Sequence, residues 1–195
     1  MSLAVEEFAR RSEPALALAG AAGRVARTCH DMALRFRSGG TLLVFGNGGA
    51  AADAQHVAVE FVHPVIVGKR ALPSLSLATD AATLTGVAAG DGFDEVFAHQ
   101  IRHLACPDDI ALGISADGTC ANVLRGLETA HLQGLLTIAL TGGDGGVIAA
   151  SPDVDHCLVV PSADPLVVKE VHVTTFHVLW ELVHVFLEQP AAAGG

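Results

Sequence analysis

Basic residues are scarce in this chain. Lys plus Arg number 11 against 21 for Asp plus Glu, a formal net charge of −10 over 195 residues. A binder of duplex DNA or of an anionic membrane surface carries the opposite balance, so nucleic-acid and membrane partners are excluded as first readings. Any anionic ligand must then be held by backbone dipoles and a few placed side chains. Charged residues of all kinds make up 16% against 51% hydrophobic, which excludes an intrinsically disordered chain. Mean hydropathy is high at +0.47, yet no apolar run approaches the ~18 residues of a transmembrane helix. The four cysteines, Cys29, Cys106, Cys120 and Cys157, form no CxxC pair and no dense framework, as expected of reduced thiols. The N-terminal stretch carries Glu6 and Glu7 and lacks the basic start and apolar core of a signal peptide, so the expected compartment is the cytoplasm. There is no low-complexity linker and no internal repeat.

What remains is a pattern of short apolar runs alternating with helical segments. Residues 4–37 read as two helices, with a break expected around Pro14 and Gly20 to Gly23 and a stop at Gly39-Gly40. Strands are expected at Thr41–Phe45, Leu75–Ala78, Asp109–Ser115, Leu135–Thr141 and Cys157–Val160. Helices are expected from about Ala50, over Asp80–Val87, Asp94–Leu104 and Ala121–Gln133, after Gly145-Gly146, and over Pro165–Glu188. Continuously apolar strands separated by helices specify a parallel sheet covered on both faces. The expected architecture is therefore α/β: a doubly wound, parallel five-stranded sheet. A helical N-terminal arm (1–38) precedes it, and a flexible tail (189–195) follows the main domain (39–188).

In such a sheet ligands bind beyond the carboxyl ends of the strands, where the strand order reverses. Two strand ends have the composition of an anion cradle. One is Asn47-Gly48-Gly49 after Gly46; the other runs from Ser115 and Ala116 through Asp117, Gly118 and Thr119 to Cys120. The first also fits a loose dinucleotide fingerprint, but the carboxylate required about 20 residues on is replaced by Val65-Ile66-Val67-Gly68, so no nucleotide cofactor is expected. His56 and Glu60, four apart on one helix face, could ligate a metal or move protons. On spacing alone they are equally an ordinary surface pair. The last helix carries His172, His177 and His184, which spacing alone assigns to packing. Phe36, Val57, Phe61 and Trp180 are candidates for the core or for a subunit interface.

Four segments occur together in one order: 46–60, 113–124, 140–146 and 160–177. In these motifs the chain resembles the sugar isomerase (SIS) domain family, and within it the phosphoheptose isomerases, over residues 8 to 187. The resemblance implies an aldose–ketose isomerase acting on a phosphorylated sugar, sedoheptulose 7-phosphate, to give a D-glycero-heptose 7-phosphate. It implies Glu60 and His177 as catalytic residues and His56, Glu60 and His177 as metal ligands. Asn47, Gly48, Gly49, Ser115, Asp117, Gly118, Thr119, Cys120 and Lys169 would surround the substrate. It also implies a homotetramer with sites at subunit interfaces. The alternative within the family is a non-catalytic SIS-domain protein that binds a partner protein, of the replication-initiator-associating type, or a sugar-phosphate ligand.

The chain departs from the family pattern at the anion loop and at one metal position. The family's Ser-Thr-Ser-Gly-Asn-Ser turn reads here Ser115-Ala116-Asp117-Gly118-Thr119-Cys120, which adds a negative charge where phosphate should sit. The family's fourth metal ligand, a glutamine, falls on Lys169, and an ammonium has no lone pair to donate. Pairing of Lys169 with Glu60, or repulsion of the ion by Lys169, leads to the expectation that zinc is bound weakly or not at all.

Overall fold

In a computed structural model, which describes residues 3–64 and 66–188, the five strands form one all-parallel sheet in the order β2-β1-β3-β4-β5. In chain order the elements are α1 (Leu3–Gly20), α2 (Ala22–Arg37), β1 (Leu42–Gly46), α3 (Gly49–Val62) and β2 (Ser74–Ser76). Then come α4 (Ala81–Gly90), a 3-10 turn (Phe93–Glu95), α5 (Val96–Leu104), β3 (Ile110–Ser115) and α6 (Ala121–Leu132). The chain continues through β4 (Leu136–Gly142), α7 (Gly146–Ala150), β5 (His156–Val160) and α8 (Pro165–Glu188). The doubly wound α/β expectation holds. The tail at 189–195 lies outside the described residues. Among the described residues no helix is long and apolar enough to cross a membrane.

The alternation of side chains along the strands divides the interior in two. Leu42, Val44, Ile110, Leu112, Ile114, Ile138 and Leu140 meet α2, α3 and α8, burying Met32, Phe36, Val57, Phe61, Phe176 and Trp180. Leu43, Phe45, Ala111 and Ala139 meet the other helical layer through Phe97, Ile101, Val123 and Leu127. That second layer lies close to the sheet: a Cβ built on Gly126 of α6 would come within 2.8 Å of the Phe45 ring. Phe36, Val57, Phe61 and Trp180 are all buried within the single chain.

The expected pair of helices is present, with the break at Ala21 inside the Gly20 to Gly23 stretch, and two local details are corrected. Pro14 does not break a helix: it lies inside α1, the one residue of that helix to be buried. A proline removes one N–H donor, which a surface helix tolerates when its ring finds an apolar contact. Strand β2 is Ser74–Ser76 and not Leu75–Ala78. It is an edge strand paired with β1 from Ser74 to Ser76, with Leu75 opposite Leu43 yet facing outward, so the ladder begins and ends on serines that the apolar letters do not mark.

The order 2-1-3-4-5 puts its reversal between β1 and β3, which are paired in register from Leu42 opposite Ile110 to Gly46 opposite Ile114. The crevice above that pair is where this topology places a ligand. At the periphery, α1 packs on α8 and β5. Arg10 holds Asp164 at 2.8 Å and Arg11 donates to Glu170. Leu3, Phe8 and Leu16 of α1 remain exposed.

Candidate active site

Helices α3 and α8 start beside one another at the crevice and run the same way, so residues along them meet in succession. Near their N-termini, Lys169 of α8 meets α3: its ammonium donates to Gly49 O at 3.0 Å and forms a very short ion pair with Asp53. Farther along, His56 and Glu60 meet His177. Their ligand atoms all lie within 4.8 Å of one another, and His56 Nε2 is 3.3 Å from Glu60 Oε1. The His56 ring packs edge-on against Phe176 and His177, at 5.0 and 5.2 Å between centroids, which fixes its plane. A cavity of about 480 Å³ opens onto this triad, lined also by Ile66, Trp180 and Glu181. The indole N–H of Trp180 is buried without a hydrogen-bond partner.

A second cavity of about 360 Å³ lies at the crevice itself, between Asn47, Gly49 and Asp53 on one side and Ser115, Asp117, Cys120 and Lys169 on the other. Asn47 does not reach freely into it. Its amide is locked in a reciprocal pair with Asn122, Nδ2 to Oδ1 at 2.7 and 2.9 Å, which ties the loop after β1 to the first turn of α6. Gly48 takes φ 55° to turn the chain into α3. Gly118 takes φ +72° in the anion loop, and a Cβ there would lie 1.9 Å from the Gly145 carbonyl oxygen, so the loop after β4 buttresses it. Within the loop, Gly118 N donates to Ser115 Oγ at 3.1 Å and Thr119 N donates to Asp117 Oδ1 at 3.0 Å. The Thr119 N–H, its side chain and the Ser115 hydroxyl hold the Asp117 carboxyl below the usual carboxylate range. Cys120 precedes α6 without capping it through its side chain.

The three histidines of α8 separate by role. His184 is buried and bonded through Nδ1 to Trp180 O and through Nε2 to Arg70 O, so it braces α8 against the 63–73 segment. His172 is buried beside the crevice, its Nε2 3.1 Å from Thr141 O, and burial pushes its pKa down. His177 is exposed and faces the carboxylate. One expectation changes, and two residues are added. Lys169 pairs with Asp53, one turn before His56, and not with Glu60. Asn122 and Asp53 organise the crevice, although sequence reasoning gave neither a role. Their presence within the motif stretches was the available signal.

This arrangement of a parallel sheet, a glycine-rich crevice and a histidine–carboxylate site between two helices defines a SIS-domain protein, and the SIS domain family model matches residues 15–142. Within that class the chain belongs to the phosphoheptose isomerase family. It is 48% identical over 153 residues to the phosphoheptose isomerase of Chlorobaculum tepidum, covering 76% of this chain and 71% of that one. Against the phosphoheptose isomerase of Aquifex aeolicus the identity is 42% over 152 residues, 78% of each chain. The solved phosphoheptose isomerase of Neisseria gonorrhoeae superimposes with a TM-score of 0.84 at 32% identity, over 92% of this chain and 96% of that one. That of Francisella tularensis gives 0.86 at 31%, over 92% and 95%.

Proposed function

We propose that the chain is an aldose–ketose isomerase that interconverts sedoheptulose 7-phosphate and a D-glycero-heptose 7-phosphate. The observation that carries this reading is the convergence of His56, Glu60 and His177 from two helices beside an open cavity. Isomerisation needs a proton removed from the carbon next to a carbonyl and returned to the neighbouring carbon. The Glu60 carboxylate serves as that base. His177, on the opposite helix, moves the proton between the two oxygens, so the double bond migrates with no net change in atoms. A partner-binding scaffold has no chemical need for this pair. Incubating the purified protein with sedoheptulose 7-phosphate and following the aldose by NMR tests the reading, with Glu60→Gln as control. No turnover of any ketose phosphate, with or without added zinc, overturns it.

The donor set fits a divalent ion, since two imidazoles and a carboxylate suffice for a catalytic zinc site with an open position. Such an ion supplies Lewis-acid polarisation of the carbonyl. The ligand count does not weaken the site; the positive charge of Lys169, where the family pattern has a neutral glutamine, is what supports a reading of weak zinc binding. We also read the protein as a homotetramer with sites at subunit interfaces, supported by exposed Leu3, Phe8 and Leu16 on α1 and by the exposure of His177 in the single chain. A phosphorylated sugar does not cross a bilayer unaided, which supports a cytoplasmic site of action.

A further inference from the structure

A turn that feeds a helix from a strand receives an anion through its backbone N–H groups. In the loop after β3 two of these donors, the Gly118 and Thr119 N–H groups, are already engaged. Ser115 Oγ takes the Gly118 N–H, and the Asp117 carboxylate takes the Thr119 N–H at 3.0 Å and faces the Ser115 hydroxyl at 3.3 Å. The loop thus carries its own anion. The cavity in front of it is lined by two carboxylates, Asp53 and Asp117, and one ammonium, Lys169. That ammonium is committed to Asp53 and to the Gly49 carbonyl. No cation lining this cavity is left unpaired to offset an incoming phosphate. From this charge count and hydrogen-bond pattern, we propose that Asp117 is a specificity-determining residue. It stands in for an anion in the loop, so a phosphate reaches the Thr119 N–H only by displacing it, and the sugar hydroxyls must supply the affinity that the loop withholds. A free phosphate ion, with no sugar attached, is therefore discriminated against.

This deepens the sugar-phosphate reading of the site and rests on it for the identity of the substrate, but it has a readout of its own. Asp117→Asn keeps an oxygen to accept the Thr119 N–H and removes only the charge; Asp117→Ser restores a hydroxyl. Binding of inorganic phosphate is measured by calorimetry on the full-length wild type and both variants, alongside KM and kcat with sedoheptulose 7-phosphate. Removal of a like charge a few ångströms from the ligand is expected to tighten phosphate at least about tenfold and to lower KM by a similar factor, with the smaller share of the change in kcat. Unchanged or weaker phosphate binding in both folded variants overturns the proposal. If phosphate tightens as expected while the wild type turns over no ketose phosphate, the proposal stands and the isomerase reading fails.

Discussion

Two cavities flank the α3–α8 pair, one at the helix starts and one farther along, and these two ends follow different rules. At one end His56, Glu60 and His177 keep every group that proton transfer requires, and each is carried on a regular helix whose register fixes it. At the other end the anion loop has exchanged hydroxyls for Ala116, Asp117 and Cys120, and Lys169 stands where the family pattern has glutamine. Chemistry at the reacting carbons tolerates few side chains. Recognition of the distant end of a substrate can be rebuilt from several combinations of charge and backbone. On the proposed reading, the two tasks are separable within one fold.

The largest effect should come from the proton-transfer end. Glu60→Gln is expected to lower kcat by ~10²–10⁴ with the melting temperature nearly unchanged, measured on saturating ketose phosphate. A comparable loss of stability would show that Glu60 is structural and would erase the contrast between the two ends.

Gly118→Ala probes the other end. With φ +72° and a Cβ placed 1.9 Å from the Gly145 carbonyl, it forces the loop off its buttress. The expected cost is about 1–3 kcal/mol in denaturant unfolding. KM should rise with little direct effect on proton transfer. A variant that instead loses kcat at unchanged KM would mean that the ends are coupled.

Lys169→Gln sits between them. It replaces the ammonium with a neutral amide oxygen that can ligate, so zinc retained after dialysis should rise, about tenfold or more in affinity by metal-competition titration. It also leaves the buried Asp53 carboxylate without its partner, so a modest fall in melting temperature should accompany the gain. Equal zinc content in both proteins would show that Lys169 has no bearing on the metal.

The smallest effect concerns acid stability. The His172 pKa is lowered by burial, so the unfolded chain takes up the proton more readily than the folded one. Its stability contribution is present above the ordinary imidazole value of about 6.5 and is lost as the pH falls from there through the lowered folded-state value. The melting temperature should drop between pH 7.5 and 5.5, and the drop should be smaller in His172→Gln. An identical drop in both would assign acid sensitivity elsewhere.

Much of this was legible in the letters. Strands β1, β3 and β4 are buried along their whole length and apolar but for Ser115, Thr137 and Thr141, so their existence and order of appearance were plain, and Pro165–Glu188 was placed to the residue. Proline at position 14 and the apolar edge at Leu75 misled because each depends on what lies beside it, not on its own propensity. The candidate catalytic end was legible because His56 and Glu60 share a helix turn and the family resemblance implied His177. The Lys169–Asp53 pair was not. It joins two helices 116 residues apart, and an ion pair across that separation leaves no periodic trace in sequence. The reciprocal Asn47–Asn122 pair escaped for the same reason.

The attachment of α1 carries a consequence for mass action. This helix buries little of itself, is fastened by the surface ion pairs of Arg10 and Arg11, and turns Leu3, Phe8 and Leu16 outward. Such pairs are worth little and are screened by salt. In the proposed homotetramer, the order of the arm then depends on neighbouring subunits covering it. Dilution or high salt should speed amide exchange in α1 first, while the sheet stays protected, so the arm reports the state of assembly.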